Sequence, residues 1–130
     1  MPTTTTRLVI SSADLLSSTL SIDSTATLTQ AGTGTAIAET SGLGVTNNGS
    51  SNAQYTLYPQ TSYTDDKAHK VYLRNSNTNV GEYVVIAIAA QELGRLYSGD
   101  VALIPWNGNG DFKITPSAND IKLEHAIFYE

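Results

Sequence analysis

Turn signals cut this chain into short segments about 8–12 residues apart, and no segment after Leu16 carries a helical period. That spacing leaves little room for anything but an all-β fold. The closing segment shows the clearest period of two. Ile121, Leu123, His125, Ile127 and Tyr129 face one way, and Lys122, Glu124, Ala126, Phe128 and Glu130 face the other. Between Glu82 and Ala89 the run EYVVIAIA is apolar on both faces, the pattern of a strand covered on two sides. Further strands are read at Arg7–Ile10, Ser21–Thr29, Thr35–Thr40, Gln54–Tyr58, Lys70–Asn75, Leu93–Tyr97, Val101–Trp106 and Asp111–Thr115. Asn47–Ser51 and Thr61–His69 read as loops, and Ser76–Gly81 and Asn107–Gly110 as hairpin turns. Ser11 to Leu16 reads as one short N-capped helical turn.

The expected fold is a β-sandwich, jelly-roll-like, of about nine or ten strands. An extended N-terminal arm with a first strand covers residues 1–10, and a single sandwich domain covers residues 11–130. The chain has 130 residues, enough for one sizeable core. Of its 19 charged residues only Arg7, Asp14, Asp23 and Glu39 precede Thr64. Neither half is large enough to stand comfortably alone, so this change reads as two environments, with the charge-poor half lying against neighbours.

Composition excludes several classes of function. The net charge is −5, and the positive side chains form no run, so a sequence-independent hold on nucleic acid or on an anionic membrane is not expected. There is no cysteine, hence no disulfide or thiolate site. The start MPTTTTRLVI lacks the charged and apolar regions of a signal peptide, and no apolar run approaches the ~20 residues of a membrane span. No Gly-x-Ser-x-Gly elbow or phosphate loop is present. His125 reads as a core or interface histidine bonded to a neighbour, and His69 as a solvated loop residue. Asp65, Asp66 and His69 have no diagnostic metal spacing. Asn107, Asn109 and Asp111 mimic the start of a calcium loop, but Phe112 and Ala118 stand where its glycine and glutamate belong. No catalytic residue, cofactor or metal is therefore expected, and the chain reads as a non-enzyme. Tyr72 and Tyr83 are placed on either side of a central hairpin, where they could pair across strands, and Trp106 after Pro105 is a natural packing anchor.

The stretch Leu93-Gly94-Arg95-Leu96-Tyr97-Ser98-Gly99-Asp100-Val101-Ala102-Leu103-Ile104-Pro105-Trp106 resembles small structural proteins of tailed-bacteriophage virions. The VYLRN–loop–GEYVVIAI segment and the closing DIKLEHAIFYE strand fit the same picture, over roughly residues 70–130. The resemblance implies a capsid decoration (cement) protein: made in the host cytoplasm, carried on the capsid surface, and bound to the major capsid protein or another virion protein. It also implies a homo-oligomer, such as a trimer. The expected contact residues are Thr3, Thr4 and Arg7 in the arm and Tyr72, Tyr83, Tyr97 and Trp106 on the strands. The alternative is a tail-fibre, baseplate or other host-recognition, glycan-binding β-module. An enzymatic jelly roll of the cupin kind would need a cluster of histidines, and the chain has only His69 and His125.

Overall fold

The computed structural model describes residues 3–14, 17–29, 39–40, 43–48, 50–63 and 69–129. The chain forms two compact units, residues 1–38 and 39–130, which divide between Ala38 and Glu39.

The first unit contains an antiparallel ribbon. Strand β1 (Thr3–Ser12) pairs with β2 (Leu20–Thr29) over ten residue pairs, from Thr3 opposite Thr29 to Ser12 opposite Leu20. The β-branched Thr3–Thr6, Val9 and Ile10 of β1 and Ile22, Thr25, Thr27 and Thr29 of β2 suit an extended backbone. Thr3 to Ile10 are thus extended as expected, but they are one edge of a ribbon rather than a lone arm. The expected helical turn is corrected. Ser11 and Ser12 end β1, and the Ser12 hydroxyl bonds the Asp14 carboxylate and accepts the Asp14 N–H, a local turn that competes with helix. Leu15 and Leu16 lie outside the described residues.

The second unit is an all-β sandwich. Its strands are β3 (Glu39–Thr40), β4 (Gly44–Asn48), β5 (Tyr55–Tyr58), β6 (His69–Asn75), β7 (Tyr83–Ile88), β8 (Gln91–Tyr97), β9 (Val101–Trp106), β10 (Phe112–Pro116) and β11 (Ile121–Tyr129), with one 3-10 turn at Gln60–Ser62. One sheet runs β5-β10-β7-β8. The other runs β3-β11-β6-β9, with β4 pairing β11 beside β3. All pairings are antiparallel.

This topology corrects two expected hairpins. Ser76–Gly81 and Asn107–Gly110 do not return the chain along its own strand. The first carries it from β6 in one sheet to β7 in the other, and the second from β9 to β10. The tight hairpin lies instead between β7 and β8, where Ile88 pairs with Gln91 and Ala89 takes a left-handed φ of 53°. Asn47 and Asn48, expected in a loop, end β4. The expected return strand over Thr35–Thr40 falls mostly outside the described residues.

The core fills the space between the two sheets. Val71 and Leu73, then Ile121, Leu123 and Ile127, face Val84 and Ile86, Phe112 and Ile114, with Tyr58, Leu96 and Trp106 closing the ends. Alternation along β6, β10 and β11 turns these side chains inward. Val84 and Ile86 of β7 are buried as its double apolar pattern predicts. Its outer residues Tyr83 and Val85 are half-buried, and Arg95 from the neighbouring strand lies over the Tyr83 ring at 4.3 Å.

Candidate interaction surface

The sandwich uses its polar side chains largely to hold its own crossovers. Asn75 is fully buried at the end of β6. Its amide donates to the Leu96 carbonyl at 3.0 Å, and its side-chain oxygen accepts the Asn77 N–H at 3.0 Å. Its main chain is tied to the next crossover, with Asn75 N–H donating to Asp100 O and Gly99 N–H donating to Asn75 O. The would-be calcium ligands are likewise spent on the chain. Asn107 Oδ1 accepts the Asn109 N–H, and Asp111 Oδ1 accepts the Gln60 N–H. Gln60 in turn accepts the Gly110 N–H. The loop closes on the core through the Trp106 indole N–H, which donates to the Gly110 carbonyl at 3.1 Å.

The histidines sit in different surroundings. His125 Nδ1 is 2.8 Å from the Tyr58 hydroxyl, a bond that joins the two sheets, and burial pulls its pKa below the ordinary value. This agrees with a core histidine bonded to a neighbour. Gly44 on β4 passes close over the ring: a Cβ there would lie 2.8 Å from His125 Cε1. His69 corrects its expected place in a solvated loop. It opens β6, is buried, and packs between the rings of Tyr63 and Trp106 at centroid distances of 5.8 and 5.4 Å. Asp65 and Asp66 lie outside the described residues. Among the described residues no three histidine, cysteine or acidic side chains gather where they could hold a metal ion. The Tyr55 hydroxyl is buried without a hydrogen-bond partner among the described residues, and burial pushes its pKa up to about 12.

The expected contact residues separate into four places. Thr3 and Thr4 begin β1, opposite Thr29 and Leu28. Arg7 is exposed on the ribbon and donates two hydrogen bonds, of 2.9 and 2.7 Å, to the Asp23 carboxylate, which that contact holds below the ordinary carboxylate range. Tyr72 lies on the outer face of the β3-β11-β6-β9 sheet. Tyr83 and Tyr97 lie together on the other sheet, as cross-strand partners with ring centroids 5.2 Å apart. The expected pairing of Tyr72 with Tyr83 is therefore corrected, because the two belong to different sheets. Tyr72 stands opposite Leu103 and Ala126. Trp106 is 4% exposed, packed against Tyr63 and Phe112, and so holds the core.

Around Tyr72 the outer sheet face carries an apolar band that the expected list leaves out. Val101, Leu103 and Pro105 of β9 point outward, across β6 from Glu124, Ala126 and Phe128 of β11, and Val45 of β4 continues the row beyond Glu124. Val45 is 63%, Val101 58% and Leu103 40% exposed. Lys70 and the Arg74–Glu124 pair, at 3.9 Å, break the band with charges of both signs. In the sequence its trace is VALIPW, where the outward set is as apolar as the inward set and no alternation marks it. No family model, curated protein or solved structure matches this chain.

Proposed function

We propose that this chain is a structural subunit of a virion, of the capsid-decoration type, which binds shell protein through the outer face of its five-stranded sheet. The observation that carries the reading is the band formed by Val45, Tyr72, Val101, Leu103 and Phe128. The sandwich core is already closed by the side chains between its sheets, so the fold does not need this second apolar surface. Exposed apolar side chains clustered on one sheet face and interspersed with polar groups mark a site of protein contact. Each copy would bury the band across a subunit boundary and raise the free energy needed to open the shell. The test is quantitative mass spectrometry of purified virions, followed by binding of Leu103→Glu to isolated heads. A copy number near that of the major shell protein, with binding lost in the variant, supports the reading. Absence from the virion overturns it.

A second reading, host-glycan recognition, draws on Tyr97. This ring is 42% exposed beside Tyr83 and Arg95 on the opposite sheet, and an exposed ring edged by polar groups can stack on a sugar. A saturable glycan-array signal that disappears in Tyr97→Ala supports it.

A further inference from the structure

The register of the ribbon sorts its residues onto two unlike faces. Arg7, Val9, Ser11, Ser21, Asp23 and Thr25 share one face, where the Arg7–Asp23 pair neutralises itself. The other face presents Leu8, Ile10, Leu20 and Ile22, and no charged residue lies among them. Ile10 stands directly opposite Ile22, and Leu8 is 52%, Ile10 44% and Ile22 42% exposed. A two-stranded ribbon with an exposed apolar face is marginal in water on its own.

The same face is symmetric within itself. Leu8-Val9-Ile10-Ser11-Ser12 and Leu20-Ser21-Ile22-Asp23-Ser24 share the pattern Leu-x-Ile-x-Ser. Antiparallel pairing at Ile10–Ile22 relates these two segments by a local two-fold axis, Leu8 to Leu20 and Ser12 to Ser24. An isologous contact sets the same patch of both copies against each other, and this face offers the same residue pattern in either direction along the ribbon. Charge favours the same partner. The chain carries −5 overall, so two copies repel in general, yet residues 1–38 carry only Arg7, Asp14 and Asp23. The ribbon itself adds little to that repulsion.

We propose that two copies of this chain pair through their ribbons, with Leu8, Ile10, Leu20 and Ile22 of one copy stacked on the same four residues of the other. Two such faces stack about 10 Å apart, as sheets do in a sandwich. The face spans about 30 Å by 10 Å, well short of the ~800 Å² per partner of a standard interface, so pairing depends on concentration. The inference rests on the reading of the chain as an assembly subunit and gives that subunit its contact with its own kind.

The test is sedimentation of the full chain over a wide concentration range, with Trp106 fluorescence reporting that the sandwich stays folded. The wild-type mass is expected to rise from 13.8 kDa to twice that value. Ile10→Glu and Ile22→Glu are expected to weaken pairing at least about tenfold by burying an unpaired carboxylate, whereas Ile22→Val keeps it. A wild-type chain that stays monomeric throughout overturns the proposal. So does a dimer that both glutamate variants leave intact. A monomer that still decorates virion heads overturns the pairing alone, because the shell then covers the ribbon. A dimer that dissociates in the variants supports the pairing even where the chain is absent from virions.

Discussion

The ribbon and the sandwich are built from the same kind of strand and reach opposite ends of the burial scale. In the ribbon ten residue pairs run in unbroken register, and no described side chain there is fully buried. In the sandwich, strands of five to nine residues bury Val71, Leu73, Phe112, Ile114, Ile121, Leu123 and Ile127 to 1% exposure or less. The difference lies in layers. Strand pairing satisfies backbone hydrogen bonds in both regions, but only a second sheet removes apolar side chains from water. The edges differ too. The sandwich blunts β9 with Pro105 and β8 with an irregularity in its pairing to β7, while the described ribbon strands carry no proline, glycine or bulge.

The comparison breaks most sharply at Phe112. It is fully buried between the sheets, so Phe112→Ala is expected to cost about 3–5 kcal/mol in urea unfolding followed by Trp106 fluorescence. The matching truncation on the ribbon, Ile22→Ala, is expected to leave that midpoint unchanged in dilute protein. Next comes Asn75. Asn75→Ala strands the Leu96 carbonyl and the Asn77 N–H at a crossover, and a loss of about 1–3 kcal/mol is expected. Gly44→Ala drives a methyl group against the His125 ring. Overpacking of this kind costs about 1–3 kcal/mol, and β4, lying at an edge, yields toward the low end.

Smaller again is a pH effect. Burial lowers the His125 pKa in the folded state, so the unfolded chain binds the proton more readily. Its contribution is whole above the ordinary value of 6.5 and is lost as pH falls through the lowered folded value. Urea midpoints taken on either side of pH 6.5 are expected to fall in acid, and by less in His125→Gln. Smallest is the Arg7–Asp23 pair. It is exposed on both sides, and Arg7→Ala is expected to leave the unfolding curve of the sandwich unmoved.

Strand existence was legible because alternation is a local signal. The closing strand from Ile121 and the apolar run after Glu82 declare themselves residue by residue. Topology was not legible, because it depends on where a strand finds its partner. SNTNVG and NGNG carry hairpin chemistry, yet both bridge the sheets. The real hairpin turns at Ala89–Ala90 without glycine, asparagine or proline, and so reads as one continuous run. The Tyr72–Tyr83 pairing failed for the same reason. His69 reads as a loop residue because the segment around it in sequence is polar, while its neighbours in space are Tyr63 and Trp106. The apolar band was hidden in VALIPW, where both faces are apolar and alternation cannot tell inside from outside. The ribbon face needed the register, since only the pairing of Ile10 with Ile22 makes two distant Leu-x-Ile segments one surface.

The central claim is that the sandwich is stable by itself and the ribbon is completed by another copy. Amide hydrogen exchange of the full chain over a concentration series tests it most directly. The account predicts that the amides of β6, β7, β10 and β11 are strongly protected at every concentration, while those of Thr3–Ser12 and Leu20–Thr29 exchange fast in dilute solution and gain protection as copies associate. Ribbon amides as protected as the sandwich in dilute monomer, or unprotected at every concentration, would contradict it.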